Sequence, residues 1–360
     1  MSAILKSEML LLVAAALAVV GFLLEHMLLE AGRMAALAGA AVLVFAIVLA
    51  SMRVAHHAEV LAAKVGDPYG TMILTLSAVL VEVIILAIMM SGESSPTLVR
   101  DTIYSAVMLD INGILGLAAL VGGLKHGEQA YNDDSSRTYC VMILTAMGIS
   151  MIVPEFVPAA KWHLYSAFTI GAMVTLYAVF LKMQVGVHSY FFSYSYPKRE
   201  GAVRHVLEDE PVTAAITILV IGVVVIGILA EIMSGLLTAG LKGSGAPPVM
   251  TAIVVAAISA SPEIMTALRA ALANRMQAVV NIALGASLST VILTVPVMEA
   301  IALYTGQPFI MAMTPVQTVM VTITLIAAAI NLNDGETNAI EGMTHFVLFA
   351  TFVMLSLIGL

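Results

Sequence analysis

The sequence predicts an all-α polytopic membrane protein with about eleven transmembrane helices, arranged as one leading helix and two inverted five-helix repeats. Three observations carry this. Of 360 residues, 61% are hydrophobic and 11% charged, where a soluble domain carries about 25% charged residues. The apolar residues fall into runs near the roughly 20 residues that cross a bilayer as a helix. Lys and Arg collect on alternate loops, as they do when charge sets orientation. A mean hydropathy of +1.04 is far too high for one aqueous core.

Taken in chain order, the expected spans are approximately 8–24, 34–52, 70–91, 103–122, 139–157, 164–184, 213–238, 248–271, 278–303, 314–331 and 342–359. The first, "EMLLLVAAALAVVGFLL", is longer than a signal-peptide core, and Glu25-His26 follows it where a small-residue cleavage site would stand. It is expected to be retained. Between spans six and seven lies the one long polar stretch, 185–212, with "SYPKREGAVRHVLEDE" at its centre.

Of the 15 Lys and Arg, eleven fall on the side of the N-terminus and the loops after even-numbered spans: Lys6, Arg53, Lys64, Lys125, Arg137, Lys182, Lys198, Arg199, Arg204, Arg269 and Arg275. Four fall opposite: Arg33, Arg100, Lys161 and Lys242. Positive charge marks the cytoplasmic face, so the N-terminus is expected inside and the C-terminus outside. An even number of spans would spoil this segregation.

The domain plan is a leading helix over 1–33, a first repeat over 34–184, a cytoplasmic linker over 185–212 and a second repeat over 213–360. Five spans per repeat is odd, so the second repeat runs upside down relative to the first. Inverted repeats of this kind place a substrate site near the midplane where they meet.

Glu82 stands in "SAVLVEVIIL" and Glu263 in "SASPEIMTAL", 181 residues apart and both deep inside their spans. A carboxyl at that depth costs several kcal/mol unless it faces the bundle interior, is protonated or meets a cation. The plainer reading of either residue is a protonated side chain bonded to a neighbouring helix; two at matching places favour a cation site. Ser77, Ser259 and Ser261 accompany them, and Pro262 removes a backbone donor beside Glu263. Ser287 and Ser289 follow in "GASLST" of the ninth span, with Asn281 before them. Asp110 and Asn112 in "DING" of the fourth span, and Glu231 in the seventh, are accessory candidates.

His56, His57 and Glu59 are expected on a solvated interfacial helix, with pH sensing as the sharper alternative. Glu155 reads as interfacial and Glu299 as a cap of the ninth span. The single cysteine, Cys140, allows no internal disulfide and no thiolate metal cluster. A net charge of -8 and the absence of a basic run give no footing for nucleic acid. No zinc spacing, phosphate loop or nucleophile–base set appears, so a transporter is expected and not an enzyme.

The stretch "HAEVLAAKVGDPYGTMILTLSAVLVEVIILAIMMSG" with "SPTLVRDTIYS" resembles the first signature region of bacterial ChaA-type calcium/sodium/potassium–proton antiporters of the calcium/cation antiporter superfamily. "SPEIMTALRAALANRMQAVVNIALGASLSTVILTVPV" is similar to the second, and "DGETNAIEGMTHFVLFATFVM" to the closing segment. The resemblance implies the eleven-helix fold, residence in a bacterial inner membrane, and cation-site roles for Glu82 and Glu263, with Gly285 and Ser287 in the ninth-span motif. In calcium/proton exchangers of the wider superfamily a Gly-Asn pair precedes each acid. Here those places read Ala78-Val79 and Ser259-Ala260, so two amide oxygens are missing. Calcium takes six to eight oxygens, which makes a monovalent cation, or both kinds, the expectation.

The implied activity is antiport of Ca²⁺ and/or Na⁺ or K⁺ against H⁺, with cation and protons competing for the two carboxylates. The alternatives are a cation channel or an exchanger without proton coupling. Ions are substrates in this reading and no cofactor is expected. The lipid bilayer is a partner, and an oligomer is left open.

Overall fold

The computed structural model describes residues 8–65, 69–91, 95–185, 211–245, 247, 249–307 and 309–360. The central part of the expected linker, 186–210, lies outside the described residues.

Each expected span coincides with a helix. We number them α1 (Met9–Glu30), α2 (Arg33–Val65), α3 (Tyr69–Ser91), α4 (Leu98–His126), α5 (Asp133–Phe156), α6 (Trp162–Val185), α7 (Val212–Leu241), α8a (Val249–Ser259) with α8b (Ser261–Leu272), α9 (Met276–Thr305), α10 (Pro315–Asn331) and α11 (Ala339–Leu357). Among the described residues, eight helices are long and apolar enough to cross a membrane, nine if α8a and α8b form one span bent by 55°. Leu76–Ser91 of α3 and α10 are shorter apolar helices. Three helices contain a wider π-helical segment: 109–115 in α4, 148–152 in α5 and 290–294 in α9. A two-residue antiparallel pair joins β1 (Gln129–Ala130) to β2 (Glu336–Thr337).

Several boundaries follow from local chemistry. Gly32 takes φ +97°, which permits the reversal between α1 and α2. Thr314 and Gln317 cap each other's backbone at the start of α10 as a reciprocal capping box. α2 runs well past its expected end at residue 52, because the polar residues after it have partners on α1's N-terminal side.

The chain forms two compact units. One comprises Met1–Ser94 and Glu200–Pro247, the other Ser95–Arg199 and Pro248–Leu360. Each therefore draws on both halves of the sequence.

In the first unit α2 lies antiparallel on α7. A Cβ at Gly222 would meet Val54 Cγ2 at 2.6 Å, and one at Gly240 would meet Leu37 Cγ at 2.6 Å. Small residues let apolar helices approach where lipid offers no hydrophobic drive to associate. Glu8, in the residue before α1, bonds Arg53 Nε at 3.0 Å and His57 Nε2 at 3.2 Å. His57 is buried. This corrects the expected solvated helix at His57, whose imidazole is shielded because an acid and a guanidinium close over it, while His56 is half-buried.

In the second unit α11 crosses α4 antiparallel. A Cβ at Gly116 would sit 2.8 Å from His345 Cβ and 2.9 Å from the Phe346 nitrogen. α8a packs on the first part of α4 and α8b on the last part, so α8 and α4 run the same way. Glu299 sits inside α9, buried against α6, and does not cap it. That expectation fails because the helix continues to Thr305, where Gly306 in the left-handed region ends it.

Candidate functional site

Glu82 lies in α3 and is 3% exposed, with Val81, Ile85 and Leu86 buried around it. Nothing in an apolar helix compels a carboxylate there, and burying one is costly unless its surroundings compensate the charge. Ser77, five residues earlier, is half-buried. Glu231 is exposed on α7. These three belong to the first unit.

Glu263 belongs to the second unit and stands in the first turn of α8b, directly after the bend. The bend has a readable cause. Pro262 carries no N–H, so the carbonyl of Ile258 loses its usual helical donor. Ser261 Oγ donates to that carbonyl instead, at 2.8 Å. Ser259 Oγ likewise turns back to Ala256 O at 3.0 Å. A hydroxyl whose one hydrogen goes to its own backbone keeps its lone pairs for another ligand. Positive dipole at the start of α8b favours an acid at Glu263.

The second unit also gathers residues of α4 and α9. Ser287 is fully buried, and its Oγ donates to Asp110 Oδ2 at 3.1 Å. Ser289 turns its hydroxyl to Gly285 O and Ala286 O, both at 2.9 Å. Asp110 and Asn112 occupy the π segment of α4, and the π segment of α9 begins just after Ser289. Such segments expose backbone carbonyls that a regular helix would use, and they gather at functional sites.

Asn112 Nδ2 donates to Thr324 Oγ1 on α10 at 2.7 Å, while Asn112 Oδ1 meets His345 Nδ1 on α11 at 2.9 Å. Asn281 Oδ1 accepts from Gln277 Nε2 at 2.9 Å, one turn earlier on α9. Its amide oxygen is thereby engaged.

Thr324, His345 and Gln277 escaped sequence reading. Each lies in an otherwise ordinary apolar or polar run, and its partner is distant in sequence. The polar cluster in "DING" signalled that Asp110 and Asn112 needed partners, and nothing in the sequence said which residues would supply them. Among the described residues, no three of His, Cys, Asp and Glu come together as a metal site.

The profile of the sodium/calcium exchanger protein family matches the chain twice, over residues 35–186 and 214–358. The sequence is 32% identical over 309 residues to the ionic transporter y4hA of Sinorhizobium fredii, covering 84% of either chain. It is 32% identical over 320 residues to the sodium-potassium/proton antiporter ChaA of Escherichia coli, covering 86% of either chain. The structure of native YfkE superposes with a TM-score of 0.77 at 18% identity, covering 97% of this chain and 99% of that one.

Proposed function

The chain belongs to the sodium/calcium exchanger protein family, and from that membership we propose a secondary cation/proton antiporter in which Glu82 and Glu263 bind cation or protons in competition. The observation that carries the assignment of roles is the placement of the two acids: one buried within α3, the other in the first turn after the break in α8. The apolar packing of α3 gives no local reason for Glu82, and the dipole at the start of α8b favours an acid at Glu263 without requiring one.

The two family matches, one containing each acid, support two repeats over 34–184 and 213–360, with the leading helix before them and the linker between. Helix directions within each unit support eleven crossings: α2 opposes α7, α11 opposes α4, and α8 follows α4. An alternating traverse requires all three. The Lys and Arg distribution supports an N-terminus and linker in the cytoplasm and a C-terminus outside, in a bacterial inner membrane.

Charge compensation at the site couples the two ion fluxes, which the ion gradients drive. A bare carboxylate inside a bilayer is costly, so the site changes sides only when neutralised. Two protons balance one Ca²⁺, and one proton balances one Na⁺ or K⁺. The hydroxyl oxygens of Ser77, Ser259, Ser261, Ser287 and Ser289 add neutral ligands, with Asp110, Asn112, Asn281 and Glu231 as accessory positions. Few amide oxygens and several hydroxyls suit a monovalent ion at least as well as calcium. The relative from Escherichia coli is named for sodium and potassium, which supports including them.

The test is cation-driven proton movement in proteoliposomes, with Ca²⁺, Na⁺ and K⁺ supplied one at a time. Glu82→Gln and Glu263→Gln should each reduce exchange to the level of protein-free vesicles. Exchange at the parent rate in either variant removes that residue from the site.

A further inference from the structure

The second half of α9 holds a carboxyl that the exchange reading leaves unused. Glu299 is 2% exposed and faces α6 within the second unit. Its Oε2 lies 2.6 Å from Thr169 Oγ1, and its Oε1 lies 3.4 Å from Ser166 Oγ. Hydroxyls are its bonding partners. No Lys, Arg or His among the described residues forms an ion pair with it. Tyr165, one turn before Thr169, is the titratable group on α6 near enough to interact electrostatically. Its own hydroxyl donates to Ile149 O at 2.6 Å. The π segment packed against this half of α9, residues 290–294, carries no titratable side chain.

Counting hydrogens narrows the protonation state. Thr169 Oγ1 lies 2.9 Å from Ser166 O and 3.1 Å from Tyr165 O. One hydroxyl hydrogen cannot serve a backbone carbonyl and the carboxyl together. Back-donation to the preceding turn is what the hydroxyls of Thr138, Thr145, Thr175 and Ser150 do elsewhere in this chain. If Thr169 does the same, the 2.6 Å contact needs a hydrogen from Glu299, and the carboxyl is the donor. The alternative is an ionised carboxylate in an apolar helix pair with no cation beside it, which is much more costly.

We propose that Glu299 is a proton-binding site distinct from the exchange carboxylates: a carboxylic acid that hydrogen-bonds α9 to Thr169 of α6 and gives up its proton as pH rises, the contact then being kept by the Thr169 hydroxyl as donor. An apolar cleft of about 660 Å³ lies between the same two helices, lined by Ile170, Val174, Pro296, Val297 and Tyr304. The cleft opens on the outer face of the pair, where Val174, Val297 and Tyr304 are exposed. On release, the O–H bond of Glu299 breaks, the proton leaves to water, and Thr169 rotates its hydroxyl hydrogen from the backbone to the carboxylate. Exchange thereby acquires a pH dependence that Glu82 and Glu263 do not supply.

The experiment is infrared difference spectroscopy of the full-length protein in liposomes, titrated from acid to alkaline pH with no ion gradient. A protonated-carboxyl C=O band should vanish with rising pH, move to lower frequency in D₂O, and be missing from Glu299→Gln. Thr169→Val should shift the same band to higher frequency, because the acid has lost its acceptor. Glu299→Gln should still exchange cations, with a flatter pH profile than the parent. Identical carboxyl spectra in parent and Glu299→Gln would overturn the proposal. So would a Glu299 band unchanged at every pH where the protein stays folded, since that marks a fixed neutral strut. Because the spectra need no transport, failure here leaves the exchange reading standing, and failure of exchange leaves this site standing.

Discussion

Pro262 and Ser261 act as one device at the residue scale. The ring withholds a donor from Ile258 O and the adjacent hydroxyl supplies it, so the bend beside Glu263 is held without a stranded carbonyl. Pro262→Ala restores the backbone donor and should straighten α8. We expect thermal stability equal to or above the parent and a lower exchange rate, read by melting in detergent and by flux in vesicles. Ser261→Ala leaves the carbonyl bare, which costs roughly 1–3 kcal/mol when it is buried. That variant should lose both stability and exchange. The opposite signs for stability separate a bend kept for function from one kept for folding.

At the scale of elements, two joints are exposed to test. Gly116 lets α11 cross α4 with its backbone in contact, and a methyl there would press on the Phe346 nitrogen at 2.9 Å. Gly116→Ala should therefore destabilise by about 1–3 kcal/mol. Gly148→Ala, where a Cβ meets nothing within 4 Å, should be close to neutral in the same melt. The second joint is the tie from Glu8 to α2. Partial burial tends to raise the Glu8 carboxyl, but the hydrogen bonds and charges of Arg53 and His57 outweigh it and hold the group below its ordinary value of 4.5. A carboxyl lowered by folding stabilises the fold above its unfolded value, and the contribution disappears as pH falls through the folded one. The melting temperature should thus drop on acidification below about pH 4. Glu8→Gln should start lower at neutral pH and lose less on acidification.

Orientation belongs to the whole molecule. Cys140 is buried and can be removed to give a background for single-cysteine labelling. A cysteine at Ser244, between α7 and α8a, should react with an impermeant thiol reagent added outside intact cells. One at Asp334, between α10 and α11, should react only after the membrane is opened. The reverse pattern would invert the assignment drawn from Lys and Arg. The division into two units that each combine both halves of the chain had no counterpart in the sequence. Hydropathy places spans along the chain, and which span packs on which is settled by surfaces such as Gly222 on Val54.

Composition and hydropathy are enough to specify a bundle of apolar helices, where those helices fall, and that Glu82 and Glu263 are anomalous within them. Each of those facts follows from transfer energies that a residue carries wherever it is placed. Packing of the helices adds that Ser287 faces Asp110, that His345 reaches Asn112 across 233 positions of sequence, and that His57 and Glu299 are buried. Hydrogen bonds and ion pairs are short-ranged and directional, so their partners exist only once the helices have crossed.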